Sequence, residues 1–292
     1  MYALGKMIIN WSESYKKSAD LSICALQEVR RLNKGLATIS STVNDLTNKF
    51  EVHRSGNVRK RIHGVGIVIK VDLNIEVNEV IFVNSRIIVA DVIIYGCSLK
   101  VISCYAPTED DSKTSKDSFY NCLRKLLVNT NKNRKVICLG DFNATTSAAW
   151  HNSSLRENSI VSSLEVNDNG ERFHNFFDTC CLSVLNTWFN HKKCRRVTWY
   201  SPDGITQKVY DFILVCSWLR QFTKNCRVYR SYDFDSDHRL VITTLNTPRT
   251  KTARYRKRKK KKSSKKLDIK MLETISLNQP LRILTPNLQI MN

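Results

Sequence analysis

The sequence predicts an α/β fold of packed sheets flanked by helices, and three observations lead there. Short runs rich in Val and Ile recur along the chain and end in polar or turn residues. Few helical segments lie between them, which argues against a regular strand-helix-strand array and for sheet packed on sheet. No linker rich in Pro, Gly or Ser interrupts residues 1–247, so these form one domain, followed by a basic, largely disordered tail over 248–292.

Taken in order, Leu4 to Ala19 place Leu4, Ile8, Trp11 and Tyr15 three or four apart, predicting an amphipathic helix. Leu21 to Val29 is a buried strand ending in Gln27 and Glu28. Further strands are expected at Val65–Val71, Arg86–Ile94, Leu99–Tyr105, Val136–Leu139, Ser183–Thr187, Val197–Tyr200, Val209–Val215, Cys226–Tyr232 and Leu240–Leu245. Helices are expected over Ser118–Leu127, where Phe119, Cys122, Leu123, Leu126 and Leu127 share a face, and over Glu171–Thr179.

Of the 292 residues, 42% are hydrophobic and 25% charged, a balance that suits a folded chain. The charge is lopsided: 47 Lys and Arg oppose 26 acidic residues, giving +21, and twelve of the positive charges fall between Arg249 and Lys266. The rest of the chain therefore keeps an excess of about nine. Such an excess points to a polyanion, because Lys and Arg displace counterions condensed on phosphates. Nucleic acid is the leading partner, an anionic membrane surface the second. The run Arg254-Tyr-Arg256-Lys257-Arg258 and onward to Lys262 is expected to contact nucleic acid or serve as a nuclear import signal. With no signal peptide and no apolar stretch of ~20 residues, the expectation is an intracellular, nuclear protein with no membrane partner, and no obligate protein partner is inferable from the sequence. Ten cysteines include no C-x-x-C pair. Lying in apolar runs, as Cys24, Cys104, Cys138 and Cys216 do, or as the neighbours Cys180 and Cys181, they read as buried reduced thiols.

Five motifs carry chemistry, each at the end of an apolar strand, where loops on a rigid sheet commonly hold functional groups. In Ala25-Leu-Gln-Glu28, a carboxylate follows a strand and could bind a hard cation such as Mg²⁺, although an isolated Glu there is more often ion-paired or solvated. In Ser103-Cys-Tyr105-Ala-Pro107, a phenol could meet a phosphate oxygen or simply pack. In Leu139-Gly140-Asp141-Phe-Asn143, Gly140 is expected to free the backbone for a turn that presents an acid and an amide together. Asp141 could accept a proton from water and Asn143 hold an oxygen, against an ordinary Asx turn. Pro202-Asp-Gly204 predicts a hairpin joining Val197–Tyr200 to Val209–Val215. Within the second strand Asp211 would be buried at real cost unless partnered. Asp235-Ser-Asp237-His238 supplies a partner, since a carboxylate on one imidazole nitrogen fixes the tautomer and favours the charged ring.

This ordered set, Gln-Glu, Tyr-Ala-Pro, Gly-Asp-Phe-Asn, Asp-Phe-Ile-Leu and Ser-Asp-His, resembles the signature of the endonuclease/exonuclease/phosphatase family. Gly64-Val-Gly-Ile-Val68 and the Thr-Trp-x-Ser-Pro-Asp-Gly run from Thr198 are similar to the endonuclease domains of retrotransposons without long terminal repeats and to craniofacial development protein 2-like proteins. The resemblance implies a four-layer, DNase I-like α/β sandwich and phosphodiester hydrolysis assisted by Mg²⁺, with Mn²⁺ an alternative. It implies metal binding by Glu28, with Asp237 beside the metal or leaving group. It further implies that Asp141 and Asn143 orient water, that Tyr105 contacts the phosphate, and that His238, held by Asp211, stabilises developing charge. Family members begin with a strand carrying an Asn. This chain opens at Met1-Tyr-Ala-Leu, read as the start of the following helix, so the resemblance implies a truncated copy lacking its first strand. A DNA-nicking endonuclease of retrotransposon type is the function expected; the alternatives are a catalytically impaired nucleic-acid-binding remnant and a phosphatase of the same fold.

Overall fold

The computed structural model describes residues 6–11, 21–43, 46–72, 74–128, 135–146, 166–229 and 236–246. The basic run with Arg254, Arg256, Lys257 and Arg258, and the whole segment 248–292, lie outside the described residues.

In chain order the strands are β1 Lys6–Trp11, β2 Leu21–Gln27, β3 Lys34–Val43, β4 Leu46–Ser55, β5 Val65–Lys70, β6 Ile75–Asn84, β7 Ile87–Ile94, β8 Cys97–Tyr105 and β9 Lys135–Asp141. They continue with β10 Leu182–Val184, β11 Trp199–Tyr200, β12 Gln207–Lys208, β13 Asp211–Cys216, β14 Thr223–Tyr229 and β15 Leu240–Leu245. The helices are α1 Lys113–Val128, α2 Asp168–Thr179 and α3 Ser217–Arg220. A seven-stranded sheet runs β14-β15-β1-β2-β5-β4-β3, and a six-stranded sheet runs β10-β13-β9-β8-β7-β6.

Strand periodicity explains how these sheets share the apolar residues. On β7, Ile88, Ala90 and Val92 enter the core between the sheets, where they meet Ile23, Ala25, Val65, Ile67 and Ile69. The alternate residues Ile87 and Val89 face the opposite way, into a core with Phe119, Tyr120 and Leu123 of α1 and Phe173, Phe176 and Phe177 of α2. A strand covered on both faces is mostly apolar, and for that reason β7, β8 and β9 are the clearest runs in the sequence. Cys24, Leu26, Phe50, Val52 and Val68 form a third cluster on the outer face of the seven-stranded sheet. The α/β sandwich expected from the sequence is thus present.

Several elements differ from expectation. Lys6–Trp11 form a strand, not a helix, and occupy the inner slot between β2 and β15. The slot expected to lack a strand is therefore filled, by a strand antiparallel to β2 and parallel to β15. Its register pairs Lys6 with Leu26 and Asn10 with Leu21, so Asn10 sits at the end of β2 remote from Glu28. β3, β4 and β6 were not evident in the sequence; β3 and β6 are sheet edges, and β6 exposes part of both faces, which dilutes the apolar signal. The Pro202-Asp-Gly204 turn joins Trp199–Tyr200 to Gln207–Lys208, whereas Asp211–Cys216 leaves that hairpin to pair with β9 and β10. Gly140 is within β9, not in a turn: a Cβ there would lie 2.3 Å from Cys104 O, so the glycine permits close strand contact. Cys181, expected to be buried, is exposed after α2.

Candidate active site

Sheet register builds the site. On neighbouring strands, β13 sets Asp211 opposite Asp141 of β9, and Asp141 lies opposite Tyr105 of β8. Three polar side chains thus form a row across the terminal rung of the six-stranded sheet, just where the apolar runs end. Local partners offset part of the cost of burying them, while Asp211 Oδ1 is buried without a hydrogen-bond partner among the described residues.

Asp211 is fully buried, and its Oδ2 lies 2.8 Å from His238 Nδ1, whose N–H donates to it. Thr198 Oγ1 accepts the backbone N–H groups of Tyr210 and Asp211 at 3.0 and 3.2 Å. Asn186 donates to Asp211 O at 3.0 Å and accepts from Ile213 N at 2.9 Å. His238 forms an isolated bridge with Trp199, which ties the histidine to the β11–β12 hairpin. The Trp199 indole N–H donates to Asp237 Oδ2 at 2.7 Å.

Asp141 Oδ1 accepts the N–H of Asn143 at 2.9 Å. Asn143 adopts φ 47°, a left-handed conformation that Asn tolerates, and its amide donates to Ala106 O at 3.1 Å. Asn167 braces this turn: its carbonyl accepts Gly170 N as the α2 cap at 2.8 Å and Thr145 N at 2.9 Å, while its amide donates to Asn143 O at 2.8 Å. One cap residue therefore fixes both a helix and the loop that carries Asn143.

Glu28 follows β2 with φ 53° and accepts hydrogen bonds from Tyr105 Oη and from Arg30, the latter at 2.8 Å. Ser103 anchors this region across the sheets: it donates to Leu26 O at 3.2 Å and accepts from Gln27 Nε2 at 3.3 Å. Arg86 donates to Tyr105 O and Ala106 O at 3.3 and 3.0 Å and lies 5.3 Å from the Tyr105 ring centroid.

Burial alone would discourage charge on His238, but the carboxylate and hydrogen bond of Asp211, then the charges of Asp141 and Asp237, raise its pKa to about 10. Burial, partly offset by His238, lifts Asp141 to about 7. Burial and the neighbouring Glu28 push the Tyr105 phenol upward, so it remains a donor. The site thus offers a charged imidazole beside a carboxyl that titrates near neutrality. His238 Nε2 and Asp141 Oδ2 are 3.9 Å apart, too far for a direct hydrogen bond and suited to bridging by an oxygen.

Donor atoms of Asp141, Asp211 and His238 lie within 4.8 Å of one another and are all buried. Because His238 is held as an imidazolium by Asp211, this group suits proton handling better than cation binding. Glu28 and Asp237 offer carboxylate oxygens, the ligand type a hard divalent cation takes, and Asp237 Oδ1 is buried without a hydrogen-bond partner among the described residues.

The structure brings Asp141, Asn143, Asp211 and His238 into one network, with Tyr105 and Glu28 joined to it through the sheet register. Asn186, Thr198, Trp199, Asn167, Arg30 and Arg86 have site contacts that the motif reading did not assign. Thr198 had a visible signal, a polar residue between Val197 and Trp199 in a strand-like run. Asn186 and Asn167 had none, since their partners are distant in sequence.

Comparison with known proteins places the chain among relatives of similar sequence and fold. Residues 99–242 match the family model described as Endonuclease-reverse transcriptase. Craniofacial development protein 2 from Bos taurus is 26% identical over 224 residues, 74% of this chain and 37% of the relative; that from Tragulus javanicus is 29% identical over 148 residues, 50% of this chain and 25% of the relative. The chain therefore spans well under half the length of these curated relatives. Among solved structures, the endonuclease domain of TRAS1, a telomere-specific non-LTR retrotransposon, covers 83% of this chain and 99% of its own at TM-score 0.52 and 12% identity. The 3'-5' exonuclease NExo from Neisseria meningitidis covers 83% and 100% at TM-score 0.53 and 19% identity. AP endonuclease LMAP from Leishmania major covers 84% and 89% at TM-score 0.54 and 12% identity. These structural likenesses show the fold alone.

Proposed function

From this likeness to the endonuclease/exonuclease/phosphatase family, we propose that the chain is an Mg²⁺-dependent DNA endonuclease of retrotransposon type that nicks one strand. The observation that carries the reading is the 3.9 Å space between His238 and Asp141, an imidazolium facing a carboxyl that titrates near pH 7. Asp141 takes a proton from the attacking water, and the turn at Asn143 keeps its carboxylate aimed. His238, held charged by Asp211, neutralises the phosphoryl oxygens as charge develops. Tyr105 donates to Glu28 and limits where that carboxylate can point. Glu28 and Asp237 would hold the divalent cation, which supplies Lewis-acid polarisation of the phosphate when bound. The basic segment 248–292 serves as a nucleic-acid arm and nuclear address.

Supercoiled plasmid incubated with the protein tests this directly. Mg²⁺ should yield nicked circles and EDTA should suppress them. A second reading, a nucleic-acid-binding remnant, is favoured by the position of Asn10 at the end of β2 remote from Glu28. Salt-dependent DNA binding without cleavage in Mg²⁺ or Mn²⁺ would select it.

A further inference from the structure

We propose a second anion site, beside the catalytic row, that takes a backbone phosphate of the bound strand away from the point of cleavage. This rests on nucleic acid being the substrate, but not on cleavage. An open cleft of about 410 Å³, solvent mouth included, is lined by Arg195, Arg196 and Arg227 together with Asn186 and Thr187. No carboxylate lines it among the described residues.

The cleft is lined from both sheets, by an edge strand of one and the strand next to the edge of the other. Arg227 comes from β14, the edge of one sheet, and Phe212, also in the lining, comes from β13 of the other. Arg195 ends a turn of 3-10 helix, Lys193–Arg195, in the segment His191-Lys-Lys-Cys-Arg-Arg196, which has four cations and no acid. Arg227 is pre-set by the Tyr229 ring, 4.2 Å from its guanidinium carbon, and its Nε is buried with no hydrogen-bond partner among the described residues. A buried guanidinium N–H without an acceptor is costly, and a phosphate oxygen is the acceptor that best suits its planar fork.

The cleft is also coupled to the chemistry. Asn186 lines it and at the same time hydrogen-bonds Asp211 O and Ile213 N, while Val209 lies two residues before Asp211 and Thr146 three after Asn143. A phosphate held there would fix the register of a strand crossing the row of Asp211, Asp141 and Tyr105.

The test is DNA binding by the full chain in EDTA, followed by fluorescence anisotropy of a labelled duplex across a salt series. Arg195→Gln and Arg227→Gln should each weaken binding and reduce the slope of log affinity against log salt by about 0.9, one phosphate contact each. Lys125→Gln on the exposed side of α1 is the control for general charge loss and should change the slope much less. Arg195 is exposed, so its variant stays folded even if Arg227→Gln does not, and thermal unfolding of each checks this. Slopes for both arginine variants equal to wild type, or a loss no greater than that of Lys125→Gln, would overturn the site. Because no cleavage is measured, an inactive wild type that shows the arginine effect would leave this site standing while removing the endonuclease reading.

Discussion

His238 Nδ1 lies 2.8 Å from Asp211 Oδ2, and both side chains are buried, so each supplies what the other's burial demands. Breaking one side leaves an uncompensated charge, which typically costs about 3–5 kcal/mol. Asp211→Asn should therefore lower stability at neutral pH by a few kcal/mol, measured as urea unfolding in EDTA, and should also release the imidazole to titrate closer to 6.5 by NMR.

The pH dependence of stability follows from the same groups. His238 has its pKa raised from 6.5 to about 10, so its contribution is complete below about pH 6.5 and is lost as pH rises toward 10. Asp141 is raised from 3.8 to about 7, so the folded state retains a proton that the unfolded chain releases, and stability again declines as pH rises through that window. Urea midpoints measured in EDTA should show Asp141→Asn flattening the decline between pH 4 and 7, and Asp211→Asn flattening the decline above it. Parallel profiles for wild type and both variants would contradict the assigned shifts.

Gly140→Ala should prevent proper folding, because the new Cβ would meet Cys104 O at 2.3 Å and Cys104 Sγ at 2.4 Å. Backbone on a buried strand has little room to give, and overpacking costs about 1–3 kcal/mol or more. Loss of a cooperative thermal transition, or a large fall in its midpoint, is the expected result.

Tyr105→Phe keeps the ring but removes the hydroxyl that donates to Glu28. Stability should change little, by about 1 kcal/mol. Nicking should fall by about 10–100-fold, in line with loss of a hydrogen bond that orients a metal-ligating carboxylate. Unchanged nicking would assign Tyr105 to packing alone.

Much of this architecture was legible because the strands around the site are buried on both faces and end abruptly in polar residues. Asp211 stood out as an acid inside Tyr210-Asp211-Phe-Ile-Leu, and the need for a partner led to His238. The edge strands β3 and β6 were hidden by their exposed positions, and Lys6–Trp11 by a spacing that also fits a helix. The bracing by Asn167 and Asn186 depends on register between remote segments, which local pattern does not encode. Gly140 shows the same limit: its presence was visible, but its reason, the approach of Cys104 from β8, belongs to the tertiary fold.

In the proposed reaction His238 stabilises charge on the phosphate during hydrolysis. The most direct measurement is the rate at which wild type and His238→Ala convert supercoiled plasmid to nicked circles in Mg²⁺, with folding of both verified by circular dichroism. Wild type should nick the plasmid, and the variant should be slower by about 10²–10⁴-fold. Equal rates for the two proteins would contradict it.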